Sequence, residues 1–89
     1  MTPALVVGRT HGTIKDASLH GATLWLVQPL LLDDRADGFP LIAIDAVGAA
    51  VGDRVMLSSD GPLARTRLNA EKTPVRWTII GLADERNLN

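Results

Sequence analysis

Residues 41–58 read LIAIDAVGAAVGDRVMLS, two short apolar runs on either side of a stretch rich in glycine and alanine. The runs at 41–45 and 54–58 consist largely of aliphatic and β-branched residues, which are typical of buried strands. Residues 48–53 between them predict a tight turn in which two backbones approach closely, because that contact requires small side chains. A strand, a turn and a strand in quick succession indicate a small barrel or sandwich.

The same alternation of apolar runs and turn residues continues toward both ends of the chain. Further strands are predicted at 4–14, 23–31 and 75–82. Gly8 or Gly12 could bend the first strand, and Pro29 suggests an edge or a bulge in the second. Pro62 at the first turn of 62–68 predicts a short helix. The fold class is therefore predicted as all-β, a five-stranded OB-like barrel with one short helix between strands 4 and 5.

Length and composition indicate one small domain that associates with itself. The chain has 89 residues, so it is expected to form a single domain over 1–89, with a barrel at about 4–84 and a polar tail at 85–89. Its hydrophobic fraction is 46% before eight glycines are counted. Because so small a domain buries a modest share of its surface, surplus apolar area favours burial between identical subunits.

Charge and residue usage argue against several classes of partner. Nine basic and ten acidic residues give a net charge of −1, so no attraction to nucleic acid or anionic membrane is predicted. The longest apolar segment, 22–32, is too short to span a membrane, and the N-terminus lacks the pattern of a signal peptide. With no cysteine in the chain, a cytoplasmic location is expected.

No constellation of catalytic or metal-binding residues is evident. His11 and His20 lie outside the local spacings that let two imidazoles share a metal, and no cysteine assists them. Ser18, Ser58 and Ser59 lack the context of a nucleophile elbow. The turn at 48–53 lacks the Lys-Ser/Thr of a phosphate loop. We therefore expect no enzyme activity, no cofactor and no metal, and a hydrolase or metal enzyme is the weakest of the alternatives.

The main alternative is an OB-type binding module for single-stranded nucleic acid or a small ligand. Such modules combine a basic groove with aromatic stacking platforms. This chain has three aromatic residues, Trp25, Phe39 and Trp77. Both tryptophans lie in predicted strands among apolar neighbours, where packing in a core or interface is the commoner use.

Four segments in order resemble a known family. They are GTIK at 12–15, LHG at 19–21, LIAIDAVGAAVGD at 41–53 and PVRWTIIGLAD at 74–84. Together they resemble the pentameric vertex proteins of bacterial microcompartment shells, which include the carboxysome and ethanolamine-utilisation vertex subunits. The resemblance implies a cyclic homopentamer at the five-fold corners of a shell whose facets are hexameric tiles. It also implies a location in the cytoplasm, within such a shell.

The resemblance implies roles for three groups of residues. A close-packed loop near the five-fold axis would contain Gly48, Ala49, Ala50 and Gly52. Contacts with the tile proteins would come from Lys15, Gly61 and Arg65, although Pro62 and Leu63 depart from the family's small polar residues there. Apolar strand residues would form the subunit interface, with Trp25, Leu41, Ile42 and Ile44 as candidates. Because Ala50 stands where relatives commonly have glycine, a positive φ at that position would be strained.

Overall fold

A computed structural model of the chain describes residues 1–10, 23–59, 62–63, 66 and 75–83. These residues form five strands: β1 Thr2–Arg9, β2 Leu24–Pro29, β3 Leu41–Asp45, β4 Arg54–Ser58 and β5 Trp77–Leu82. The strands close into a barrel in the order β1-β2-β3-β5-β4. All neighbours are antiparallel except β3 and β5, which are parallel. The predicted all-β, five-stranded barrel is confirmed.

The observed strands are mostly shorter than predicted. The predicted bounds of the third and fourth strands match β3 and β4. Strand β5 begins at Trp77, two residues after its predicted start. Strand β2 ends at Pro29, and the next amide, that of Leu30, donates to the Pro3 carbonyl at 2.9 Å. Pro29 therefore ends a strand of the closed barrel, and the prediction of an edge or bulge there is wrong.

The bend expected in the first strand lies at Gly8. Val6 pairs with Val27 and Gly8 pairs with Leu26, so Val7 is an extra residue in β1. Such a bulge bends the strand and increases its twist. The predicted strand extended to residue 14, but β1 ends at Arg9, and residues 11–14 are outside the described part of the chain.

The predicted helix lies largely outside the described residues. Pro62, Leu63 and Thr66 have helical backbone conformation, in the segment where the sequence predicts a short helix. Nothing more of 62–68 is described. Across the described ranges, no helix is long and apolar enough to cross a membrane.

Strand alternation divides the apolar side chains between the inside and the outside of the barrel. Successive residues of a strand point to opposite faces. The inward set is almost completely buried and forms most of the core: Ala4, Val6, Val27, Ala43, Val55, Leu57 and Ile79. The outward set is half-buried at Leu26, Ile42, Met56 and Ile80. The barrel therefore has a filled interior and also an apolar exterior.

Candidate functional site

The loop that joins β3 to β4 is ordered by two left-handed glycines. We call residues 46–53 the β3–β4 loop. Gly48 has a φ of 81° and Gly52 a φ of 94°, conformations that side chains other than glycine disfavour. Ala50 is not among the residues with positive φ. The strain expected at Ala50 is therefore absent, because the chain has placed glycine at the two positions that need it.

The Asp45 carboxylate at the end of β3 fixes the first half of this loop. Its Oδ1 accepts hydrogen bonds from the amides of Val47 and Gly48, both at 2.8 Å. Its Oδ2 accepts from the Ala49 amide at 2.9 Å and from the Trp25 indole Nε1 at 3.0 Å. Successive amides that converge in this way form a concave nest for an anion. Here the anion is the chain's own aspartate.

These hydrogen bonds also determine the charge state of Asp45. Desolvation by partial burial acts to raise the pKa of this carboxyl. The hydrogen bonds from Trp25 and from the amides of Val47, Gly48 and Ala49 act in the opposite direction and prevail, so its pKa is lowered. Asp45 therefore stays ionised at neutral pH.

The second half of the β3–β4 loop is tied to β1. The Gly52 amide donates to the Val6 carbonyl at 2.8 Å, and the Val6 amide donates to the Asp53 carbonyl at 2.9 Å. The Asp53 carboxylate accepts from the Ala50 amide at 2.9 Å. Both halves of the loop are thus fixed to the barrel although neither forms regular structure.

The exposed surface of this loop is small and apolar. Ala49 packs into the core, whereas Gly48, Ala50 and Gly52 are exposed and Val51 is 59% exposed. A Cβ added at Gly48 or Gly52 would meet no atom of this chain within 4 Å. The loop therefore offers room for another backbone to approach. Among the described residues, no cluster of His, Cys, Asp or Glu could hold a metal ion.

The four predicted interface residues lie in different environments in the structure. Trp25 is 9% exposed, with its indole bonded to Asp45 and the Arg9 guanidinium 5.7 Å from its ring centroid. Ile44 is 1% exposed, and Leu41 packs against the core from the inner side of β3. Ile42 lies half-buried on the outside, paired with Leu26. Of the four, Ile42 has the outward position suited to contact with another chain.

The predicted tile contacts lie outside the described part of the chain. Lys15, Gly61 and Arg65 are not among the described residues. Their described neighbours Pro62, Leu63 and Thr66 are exposed.

An ordered loop joins β2 to β3, and the sequence does not predict its order. We call residues 30–40 the β2–β3 arm. The sequence indicates only a solvated, charged loop there, yet the Arg54 guanidinium binds the Asp34 carboxylate with two hydrogen bonds, at 2.5 and 2.8 Å. Asp34 has a φ of 69°. Three aspartates and an arginine within the arm are a signal of ion pairing, but the partner in β4 is twenty positions away and cannot be identified from local sequence.

Comparisons with known proteins agree over nearly the whole chain. A family model described as ethanolamine utilisation protein EutN/carboxysome matches residues 1–84. The bacterial microcompartment shell vertex protein EutN of Salmonella typhimurium is 34% identical over 85 residues, covering 96% of this chain and 85% of the relative. The carboxysome shell vertex protein CcmL of Gloeobacter violaceus is 36% identical, covering 88% of this chain and 81% of the relative.

Solved structures of related proteins also superimpose on nearly the whole chain. The GrpN pentameric microcompartment shell protein from Rhodospirillum rubrum superimposes with a TM-score of 0.76 at 26% identity, covering 94% of each chain. A structure of ethanolamine utilization protein EutN superimposes with a TM-score of 0.78 at 33% identity, covering 96% of this chain and 88% of the other.

Proposed function

This chain belongs to the EutN/CcmL family of ethanolamine utilisation and carboxysome proteins, and from that membership we propose that it forms homopentamers that cap the five-fold vertices of a bacterial microcompartment shell. The relatives are microcompartment and carboxysome shell vertex proteins. The observation that carries the proposal is the superposition on a pentameric shell protein over 94% of both chains.

The proposed role is geometric. A flat sheet of hexagonal tiles cannot close, and pentagons at the corners supply the curvature that closure needs. A ring of five identical chains joins head to tail, so each chain must present two different surfaces that fit each other. The apolar exterior of this barrel provides side chains for such contacts, including Ile42 and its partner Leu26.

The β3–β4 loop is the proposed lining of the five-fold axis. Its exposed residues are Ala46, Val47, Gly48, Ala50, Val51 and Gly52. Most of them are small, and small side chains are needed where several chains converge. Hydrogen bonds to Asp45 and Val6 hold the loop in one conformation before assembly. Pre-ordering of this kind lowers the entropic cost of association.

The tile proteins are the proposed second partner, and the shell is the proposed location. We retain Lys15, Gly61 and Arg65 as the contacts with hexameric tiles, since charged and small residues at the rim of the pentamer suit directional docking. The chain is proposed to act as one domain over 1–89, with a barrel at about 4–84. The family match over residues 1–84 supports this extent.

A structural role without catalysis or nucleic-acid binding agrees with the described residues. Three of the four hydrogen bonds that Asp45 accepts come from amides of the β3–β4 loop, so this carboxylate serves to order the loop. Trp25 is largely buried and is not available as a stacking platform. With a net charge of −1, the OB-type nucleic-acid module is the less favoured alternative.

Native mass spectrometry of the purified chain tests the proposed function. We expect a predominant species with five copies. When the chain is co-expressed with hexameric tile proteins, we expect closed polyhedral shells, and open or tubular assemblies when it is left out. A chain that stays monomeric at high concentration and does not alter tile assemblies would contradict the proposal.

A further inference from the structure

The β2–β3 arm carries the two most exposed large apolar side chains among the described residues. Leu32 is 100% exposed and Phe39 is 89% exposed. Residues 31–40 are all exposed. A single exposed apolar residue is ordinary on a protein surface. Two large ones on one loop indicate a contact surface if that loop is ordered in the free chain.

An ion pair to β4 orders this arm. The Arg54 guanidinium donates to both carboxylate oxygens of Asp34, a geometry that fixes the orientation of both groups. The hydrogen bond from Arg54 is the largest cause of the lowered pKa of Asp34. Asp34 holds a left-handed φ of 69°, a conformation that is uncommon for residues other than glycine, although aspartate adopts it more readily than most. The chain thus maintains an uncommon backbone conformation in an exposed loop.

Backbone hydrogen bonds complete the bracing. Leu30 and Ala36 form an isolated β-bridge. The Leu31 amide donates to the Arg35 carbonyl at 2.8 Å, and the Asp37 amide donates to the Pro29 carbonyl at 2.8 Å. These contacts link residues 29–31 to residues 35–37, so the arm is an ordered loop that folds back on the end of β2.

The arm lies across the outer side of β1. Leu5 in β1 pairs with Gln28 on one side and with Arg54 on the other. Gln28 Nε2 donates to the Gly38 carbonyl at 3.1 Å, while Arg54 binds Asp34. The two anchors of the arm thus flank Leu5. The arm is fastened to the barrel on both sides of this residue.

We propose that the β2–β3 arm is a docking element of the ring, and that Leu32 and Phe39 of one copy pack against the adjacent copy of the same chain. This inference rests on the proposed pentamer and identifies one of its two unlike contact surfaces. Phe39 lies two positions before the start of β3, where the outward Ile42 pairs with Leu26. The apolar surface of the arm is therefore continuous in sequence with the outward position proposed for subunit contact.

The surface on the receiving copy is the outward face of β4 and β5. In the closed order β5 lies between β3 and β4, and β4 lies next to β1. Met56 in β4 and Ile80 in β5 point outward and are half-buried in the single chain. The arm and this apolar face are two unlike surfaces of the same chain, and a head-to-tail ring requires two such surfaces.

The decisive experiment removes the two apolar side chains from the arm of the full-length chain. The variant is Leu32→Ser with Phe39→Ser, and the matched control is Val7→Ser, which replaces a residue that is 42% exposed outside the arm. Dissociation of the pentamer on dilution is followed by native mass spectrometry and sedimentation. We expect the midpoint concentration for dissociation to rise by about tenfold or more in the double variant, and to stay near the parent's in the control.

A second variant tests the bracing without removing apolar surface. Asp34→Asn weakens the charged pair with Arg54 and leaves Leu32 and Phe39 in place. We expect a smaller rise of the dissociation midpoint, about threefold, because a looser arm must be ordered on binding. Far-UV circular dichroism of each variant reports whether the barrel is still folded. If the double variant does not fold, Asp34→Asn decides, and an unchanged midpoint in that variant overturns the proposal.

The outcomes separate this inference from the proposed function. If the parent chain does not form pentamers, the proposed function fails. If the parent is pentameric and the folded double variant dissociates at the parent's midpoint, docking of the arm on a second copy is overturned while the pentamer stands. A double variant that stays pentameric but no longer joins tile assemblies also overturns it, because the arm would then contact a tile protein. An equal rise of the dissociation midpoint in Val7→Ser also overturns the inference, because the effect would then follow from any loss of exposed apolar area.

Discussion

At the scale of single residues, the Asp45 carboxylate connects the end of β3, the indole of Trp25 and three amides of the β3–β4 loop. The sequence predicts the turn from its glycines, and the structure gives those glycines their positive φ angles. The sequence does not reveal that Asp45, the aspartate before the turn, orders the turn. An aspartate followed three residues later by glycine is a signal for such a side-chain turn, whereas the indole contact depends on the pairing of β2 with β3.

Replacing Asp45 tests this ordering role. In Asp45→Ala the amides of Val47, Gly48 and Ala49 lose their acceptor, and we expect the free energy of unfolding to fall by about 1–2 kcal/mol. Asp45→Asn is the matched control, since it keeps one acceptor oxygen and is expected to lose less. Urea denaturation of both variants measures the difference. Equal stability of Asp45→Ala and the parent would contradict the role.

The Asp45 carboxylate also makes the free energy of unfolding depend on pH. Because the folded-state pKa of Asp45 is lowered, its contribution to stability is complete above the pKa of the unfolded chain. That contribution is lost as pH falls through the lowered folded pKa. We expect stability to decline more steeply on acidification in the parent than in Asp45→Asn. Parallel stability profiles of the two proteins in the acidic range would count against this account.

The glycines of the β3–β4 loop give a second prediction at this scale. Gly52→Ala places a Cβ on a residue with a φ of 94°, and we expect a loss of about 1–2 kcal/mol in the stability of the chain. Ala50→Gly is the matched control, expected to cost less than about 1 kcal/mol because no positive φ is involved there. Thermal unfolding at low concentration measures both. A Gly52→Ala chain as stable as the parent would show that the conformation at this residue relaxes freely.

At the scale of strands and loops, the sequence pattern predicted the elements whose ends are determined by neighbouring residues. The runs at 41–45 and 54–58 are short, apolar and bounded by turn or charged residues, so their bounds match β3 and β4. The parallel pairing of β3 with β5 is not encoded locally, because it joins segments far apart in sequence. For the same reason the ion pair that braces the β2–β3 arm was not predicted. The interface candidates were grouped by apolar character, and alternation along β3 placed Leu41 and Ile42 on opposite faces.

One position in β5 predicts a stabilising substitution. Thr78 pairs with Ile44 and with Ser58 and is fully buried, and its hydroxyl has no hydrogen-bond partner among the described residues. We expect Thr78→Val to raise the free energy of unfolding by about 1 kcal/mol, because it removes a buried polar group and keeps the shape. Thr78→Ser is the control, which retains the hydroxyl and should destabilise. Chemical denaturation measures both, and a destabilised Thr78→Val would mean that the hydroxyl is bonded.

At the scale of the whole molecule, the barrel and the assembly were predicted by different kinds of information. Composition indicates that copies of the chain cover one another, but not how many copies there are. The number five comes from family membership, because stoichiometry depends on angles between subunits that no local pattern encodes. The confirmed barrel supplies the outward positions, such as Ile42, through which neighbours can pack.

The proposed contact with tile proteins gives a prediction at this scale. A double variant, Lys15→Ala with Arg65→Ala, should form pentamers normally yet cap shells poorly, since it removes two charges from the proposed rim. Arg76→Ala is the matched control, because Arg76 is an exposed arginine in a different part of the chain. Electron microscopy of co-expressed shells gives the proportion that is closed. Normal closure with the double variant would show that these two residues are not the tile contacts.

The closed order of the strands has a consequence for how copies of the chain can join. Every strand has two hydrogen-bonded neighbours within its own chain, so the sheet has no free edge. A free edge can pair with a strand of another molecule, and such pairing leads to fibre growth or to strand exchange. Contacts within a larger particle are then made by side chains and loops, between units that have already folded. Such contacts can be undone and remade, which allows a wrongly seated corner to leave and be replaced while the particle is growing.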